Sequence, residues 1–257
     1  MPQEILLDRF GRTVITLLEE TGRLALLLLN ALRWVVRGRV EAALTLRQMA
    51  HIGVDALPLI LITGTFAGMV LAFQSARQLQ TLGAPGFVGG LVAVSLAREA
   101  GPVFTAVTAA GRTGAGIAAE LGTMAVTEQL DALRVMATDP VRYLVVPRLL
   151  ASLLVLPVLT VFANIAGLVG GWGVAGLAGV GTSTYLTSVR RFLEVSDLVG
   201  GLVKAALFGM IIALVGSHRG LTAGGGAEGV GRAATAAVVL AIVLILGGNY
   251  VLDVLLF

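Results

Sequence analysis

Residues 120–140 read ELGTMAVTEQLDALRVMATDP, from Glu120 to Pro140, and lie between two long apolar runs while being too polar to cross a bilayer. At ~100° per residue on a helix, Leu121, Ala125, Val126, Leu130, Ala132, Leu133 and Met136 share one half. Glu120, Thr123, Thr127, Glu128, Asp131 and Arg134 share the other. A helix with two such faces lies across the ends of membrane helices. Asp139-Pro140 ends it, since a residue before proline avoids the α region. Tied at both ends to membrane segments, it can pass a push from a soluble partner into the bilayer.

The rest of the chain supplies those segments. Apolar residues make up 57% and charged residues 13%, which places the chain among integral membrane proteins. Few aromatics and 34 glycines favour close-packed helices over an aromatic-girdled barrel. With no cysteine, neither a disulfide framework nor a thiolate metal site can form. His51 and His218 stand far apart without ligand spacing, so no metal site is expected. The one lysine, Lys204, lies in the apolar run LVKAAL, where no P-loop can be built, so the chain is not itself a P-loop ATPase. We expect no catalytic residue and no nucleic-acid role.

Residues 1–50 mix Arg9, Arg12, Arg23, Arg33, Arg37, Arg39 and Arg47 with leucines and read as one or two interfacial helices, the alternative being a disordered basic tail. Residues 51–257 form the transmembrane domain. Its first span, 56–76, carries no charge and contains the small-xxx-small pair Gly64 and Gly68. The second runs from about 86 to 119, with Arg98 and Glu99 ~17 Å along it and Arg112 ~38 Å along, at the opposite headgroups. Gly101-Pro102 should bend it and free backbone groups that need partners from neighbouring helices. The third span ends near Gly173 and holds Gly167 and Gly171; a short helix around 185–192 follows outside the membrane. Residues 198–217 and 233–252 are the fourth and fifth spans, joined by a glycine-rich loop. The fold class is therefore an all-α integral membrane protein with an N-terminal interfacial helix, five transmembrane helices and one two-faced helix at about 120–136.

Arginines near the spans crowd one side, leaving Arg77, Arg190 and Arg191 on the other. The positive-inside rule puts the N-terminus and the two-faced helix in the cytoplasm and the C-terminus outside. Arg98 and Glu99 admit two readings, a polar element facing a substrate cavity or an ion network that fixes packing. Lying ~100° apart on a helix, they should not pair mainly with each other. Lys204 reads as a residue that snorkels outward, and Asn164 as an interhelical hydrogen-bond group. Gly224, Gly226 and Gly229 spell GxGxxG, but a membrane segment precedes them and the nearest later acid is Asp253, so a flexible turn is the better reading than a nucleotide site. The two-faced helix could be a passive anchor; its acid-rich face suits a protein partner better than anionic lipid.

Three blocks, LRQMAHIGVDALPLILITGTFAGMVLAFQ (46–74), LAREAGPVFTAVTAAGRTGAGIAAELGTMAVTEQLDALRVMATDPVRYLVVPRLLA (96–151) and GGAEGVGRAATAAVV (225–239), closely resemble the MlaE (YrbE) family. Its members are permease subunits of ABC transporters that work with MCE proteins. The resemblance runs from about Leu44 to the C-terminus and departs only slightly, with Ala100 in place of a larger apolar residue and Ala234 in place of threonine. It implies a multi-pass homodimer in the bacterial inner membrane that moves phospholipid or a related lipid between that membrane and a periplasmic MCE carrier. Two ATP-binding cassette subunits on the cytoplasmic side would bind ATP and magnesium, so this chain would carry no cofactor. It further implies a lipid cavity between the two copies, walled by Val70, Phe73, Gln74, Arg98 and Glu99, and a coupling helix presenting Glu120, Thr127, Glu128, Asp131 and Arg134 to the ATPase. An ion-coupled transporter using Arg98, Glu99 and Lys204 as relay groups, without any ATPase, is the alternative.

Overall fold

The structure, a computed structural model, describes the backbone of residues 2–38 and 40–256, and within these the side chains other than those of 2–14, 16 and 17. Among the described residues eight helices follow one another. They are α1 (Pro2–Val36), α2 (Ala42–Thr81), α3 (Pro85–Val126), α4 (Gln129–Val135), α5 (Val141–Leu177), α6 (Thr182–Phe192), α7 (Val195–Leu221) and α8 (Gly226–Leu256). Among the described residues there is no strand. Five of the helices, α2, α3, α5, α7 and α8, are long and apolar enough to span a membrane. Each contains one of the expected spans and extends past it. The short extramembrane helix is α6, and the glycine-rich loop is a turn with Gly225 and Gly226 at positive φ. The side chains of Arg9, Arg12 and Arg39 lie outside the described residues.

The most extensive helix pair is α2 against α5, and glycine makes it possible. A methyl group on Gly64 would stand 2.7 Å from the carbonyl oxygen of Ala163, and one on Gly171 3.1 Å from that of Gly68. One on Gly68 would overlap the carbonyl of Gly167. The two small-xxx-small pairs thus face each other. Lipid tails are as apolar as leucine, so helices gain by approaching closely enough for backbone van der Waals contact, which these positions allow. Buried Ile52, Ala56, Ile60, Ala151, Val155 and Leu159 continue the contact towards the arginine-rich end.

Helix α3 runs through the middle of the bundle, touching α2, α5, α7 and α8. It is interrupted twice by wider π-turns, at Leu96–Ala100 and Ala110–Gly114. The first immediately precedes Gly101-Pro102, where proline removes a donor, so the expected disturbance is present and takes the form of a π-bulge. Asn164 of α5 lies against Gly101, where no side chain would fit. Its buried Oδ1 has no hydrogen-bond partner among the described residues, against the interhelical hydrogen-bond role expected of Asn164.

At the arginine-rich end α1 lies against α5 and α7. Glu20 meets His218 Nε2 at 3.3 Å and Arg219 Nη2 at 3.1 Å, while Trp34 Nε1 donates to Asp139 Oδ2 at 3.1 Å. Asp139 Oδ1 also accepts from the amide of Val141 at 2.8 Å. The residue expected to stop one helix therefore also opens the next.

Candidate functional site

Arg98 and Glu99 occupy the first π-bulge of α3 and diverge, as adjacent helical residues must. Arg98 turns to α7, with Nη2 2.6 Å and Nε 2.7 Å from Asp197 Oδ1. Asp197 is the third residue of α7 and closes a capping box with Glu194, whose amide donates to Asp197 Oδ2 at 3.1 Å. One carboxylate thus satisfies the start of α7 and the guanidinium together. Glu99 turns to Lys204, whose Nζ lies 2.6 Å from Glu99 Oε1 and also donates to Asp253 of α8. Asn249 Nδ2 completes the set, 2.7 Å from Glu99 Oε2 and 3.2 Å from Asp253 Oδ2.

Lys204 does not snorkel. It is fully buried, and the reason is the number of acceptors converging on it. Besides the two carboxylates, its ammonium donates at 3.0 Å to the carbonyl of Arg98. That carbonyl lies four residues before Pro102, which has no N–H to give it. The freed backbone acceptor thus finds its donor on a neighbouring helix.

Asp197 stands at the beginning of α7 and Asp253 one turn from the end of α8, so Arg98 and Glu99 lie towards the arginine-poor end of the bundle. The π-bulge brings both side chains to those helix ends. Lys204 and Asp197 are buried, whereas the side chains of Arg98, Glu99 and Asp253 are 40%, 44% and 31% exposed. Two buried charges therefore hold three half-open ones in place, which gives an apolar bundle a fixed patch of opposite charges that a polar headgroup could meet.

Val70, Phe73 and Gln74 are exposed on α2, on the side away from its glycine contact with α5. They continue an apolar stripe with Leu59, Ile62 and Phe66, and the Arg77 guanidinium sits 4.4 Å from the Phe73 ring centroid. A single copy of the chain leaves this stripe uncovered.

The other expected site, a continuous helix over Glu120–Met136, is two pieces. Residues 120–126 are the last turns of α3, and Glu128 adopts a left-handed conformation with φ 60° that breaks the rod before the short helix α4. Ala137, with φ 56°, ends α4 in the same way. The break redirects the faces. Leu121 and Leu130 are buried as expected, but Met136 and Val135 point outward, 66% and 88% exposed. Thr127, Glu128, Asp131 and Arg134 remain exposed, with Arg134 2.8 Å from Asp131. Glu120 instead reaches Arg148 of α5 at 2.8 Å, and Arg148, whose Nη1 donates to the Leu144 carbonyl at 2.7 Å, is buried. The Arg148 anchor had no local signal beyond a charge beside an apolar run.

Among the described residues no group of His, Cys, Asp and Glu could hold a metal ion.

The sequence profile described as Permease MlaE matches residues 45–255. A probable ABC transporter permease protein of Synechocystis is 44% identical over 224 residues, covering 87% of this chain and 85% of its own. A similarly described protein of Rickettsia bellii is 40% identical over 255 residues, covering 97% of both chains. The intermembrane phospholipid transport system permease protein MlaE of Haemophilus influenzae is 34% identical over 254 residues, covering 98% of this chain and 97% of its own. With its five apolar helices, its half-open ionic cluster and a match over nearly its whole length, the chain belongs to the MlaE permease family.

Proposed function

We propose that this chain is one half of a homodimeric permease that moves phospholipid, powered by ATP hydrolysed on two separate cassette subunits and exchanging its cargo with a periplasmic MCE assembly. The observation that carries this reading is the half-open cluster of Arg98, Glu99 and Asp253, held by buried Lys204 and Asp197. An apolar bundle keeps such charges only where they face protein, water or a polar ligand. A second copy placed over the exposed stripe of α2 would close a chamber with apolar walls from Val70 and Phe73, Gln74 at its rim and the ionic patch at one end. That combination suits a molecule with two tails and a charged head.

The arginine-rich end faces the cytoplasm, by the excess of arginine there. It presents α4 with its exposed Asp131 and Arg134 and the neighbouring Thr127 and Glu128. Helix α4 joins α3 through the turn at Glu128, whose amide donates to Ala125 and whose carbonyl accepts from Asp131 and Ala132, and joins α5 through residues 136–140, where Asp139 caps the next helix. A displacement of α4 by the ATPase would therefore be felt by two spans at once. Such coupling requires that nucleotide states differ in their contacts with α4.

The test is purification of the assembled complex after co-expression with its ATPase and MCE subunits, followed by mass spectrometry of bound lipid and measurement of lipid-stimulated ATP hydrolysis. Two copies of this chain, two ATPase subunits, bound phospholipid and stimulation are expected. Absence of an associated ATPase, or transport that needs only a proton gradient, would overturn the reading.

A further inference from the structure

A charged cavity lies at the other end of the bundle, between α2 and α3. It measures about 340 Å³ and is lined by Gln48, His51 and Asp55 of α2 and Arg112, Gly116 and Glu120 of α3. Its floor is apolar, made of Ile52 and Ile117, both buried. The second π-bulge of α3 carries Arg112, which leans towards Asp55 at a distance of 3.7 Å, too far for a direct hydrogen bond, with half of its side chain exposed. His51 Nδ1 lies 2.8 Å from Asp55 Oδ2, and Glu120 is held from behind by buried Arg148 at 2.8 Å.

Depth identifies the occupant. The uncharged run of α2 begins at Ala56, so Asp55, His51 and Gln48 stand where the hydrocarbon layer ends, and Arg112 marks the same level on α3. The charges are balanced: Arg112 and Arg148 offset Asp55 and Glu120 when His51 is neutral. A site for a simple anion would lack the acids, and a site for a cation would lack Arg112. Resting on the lipid reading above, we infer that this cleft binds the headgroup of a zwitterionic phospholipid in the cytoplasmic leaflet. Arg112, with donors from Gln48 and His51, takes the phosphate; Asp55 and Glu120 take the ammonium; the isoleucine floor meets the glycerol and first methylenes. The permease would thus hold a lipid at each end of the bundle, and the one at this end would touch the helix that leads into α4.

Gly116 allows a clean test, because it lines the cleft and a Cβ added there meets no protein atom within 4 Å. The complete complex is reconstituted in vesicles of phosphatidylethanolamine and phosphatidylglycerol containing a trace of headgroup-photoactivatable phosphatidylethanolamine, and labelled peptides are mapped. Labelling of residues 112–120 is expected, falling at least fivefold in Gly116→Leu and in Arg112→Gln, with a phosphatidylglycerol probe labelling several-fold less. Equal labelling by both probes would overturn the zwitterionic assignment. Labelling near Phe73 but not at 112–120 would overturn this inference and leave the permease reading intact, whereas labelling at neither place would count against both. A Gly116→Cys variant that maleimide reaches only in the absence of the ATPase would show the cleft to be a protein contact instead.

Discussion

Replacing Lys204 by methionine keeps the stem and removes the ammonium on which the ionic cluster depends. In the native chain that group is fully buried and serves Glu99, Asp253 and the Arg98 carbonyl at once. Breaking a buried ion pair by removing one partner costs ~3–5 kcal/mol, because the remaining charge is left uncompensated. The two carboxylates left behind are 44% and 31% exposed, so water recovers part of the loss. We therefore expect ~2–3 kcal/mol, at or just below the lower end of that range. Adding Glu99→Gln removes one of the stranded charges and should return ~1–2 kcal/mol as a coupling energy between neighbours in one network. Equilibrium unfolding of the purified permease in mixed detergent–SDS micelles, followed by far-ultraviolet circular dichroism, measures both. A cost for Lys204→Met below ~0.5 kcal/mol, as for an ordinary surface change, or purely additive effects of the two substitutions, would refute the clamp.

Gly68→Ala places a methyl onto the Gly167 carbonyl and should cost ~1–3 kcal/mol in the same assay, whereas Gly173→Ala, with open space around it, should be neutral or stabilising by a few tenths to ~1 kcal/mol. Glu128 pays roughly 1–2 kcal/mol for its left-handed backbone. Glu128→Gly should therefore raise stability while testing whether the carboxylate itself is read by the ATPase: retained lipid-stimulated hydrolysis assigns position 128 a conformational role, and lost hydrolysis an electrostatic one. Asp131→Lys should lower lipid-stimulated hydrolysis several-fold with membrane insertion unchanged, which pelleting and limited proteolysis of membranes would check.

Three of the five spans were legible because an uncharged run of twenty or more residues has few alternatives; the second and fourth read as long apolar segments in spite of Arg98, Glu99 and Lys204, and the two glycine pairs were legible because their spacing is local. That they would face each other is a tertiary fact, set by α2 and α5 lying side by side. Lys204 was misjudged for a similar reason. Snorkelling is the sound expectation for a lone lysine near a helix end, but Glu99 and Asp253 converge on it from positions 105 and 49 residues away. The pairing of Arg98 with a residue other than Glu99 did follow from helical geometry, and Asp197 was hidden as part of a cap. The break at Glu128 left no trace, since the chain there has neither glycine nor proline, and Leu121 and Leu130 on either side of it meet in one buried cluster that only the folded bundle shows. Arg148 looked like one more orienting arginine, and its burial shows only in the packed bundle.

On the function proposed above, α4 hands the ATPase cycle to a lipid chamber bordered by Phe73 and Glu99. The most direct test is photo-crosslinking from a benzophenone residue at position 73 to phospholipid in the reconstituted complex, compared between nucleotide-free and vanadate-trapped states. A lipid adduct is expected whose yield changes several-fold on trapping in the otherwise native complex and stays constant when Asp131→Lys is present. A yield at position 73 that ignores the nucleotide state in the native complex would contradict it.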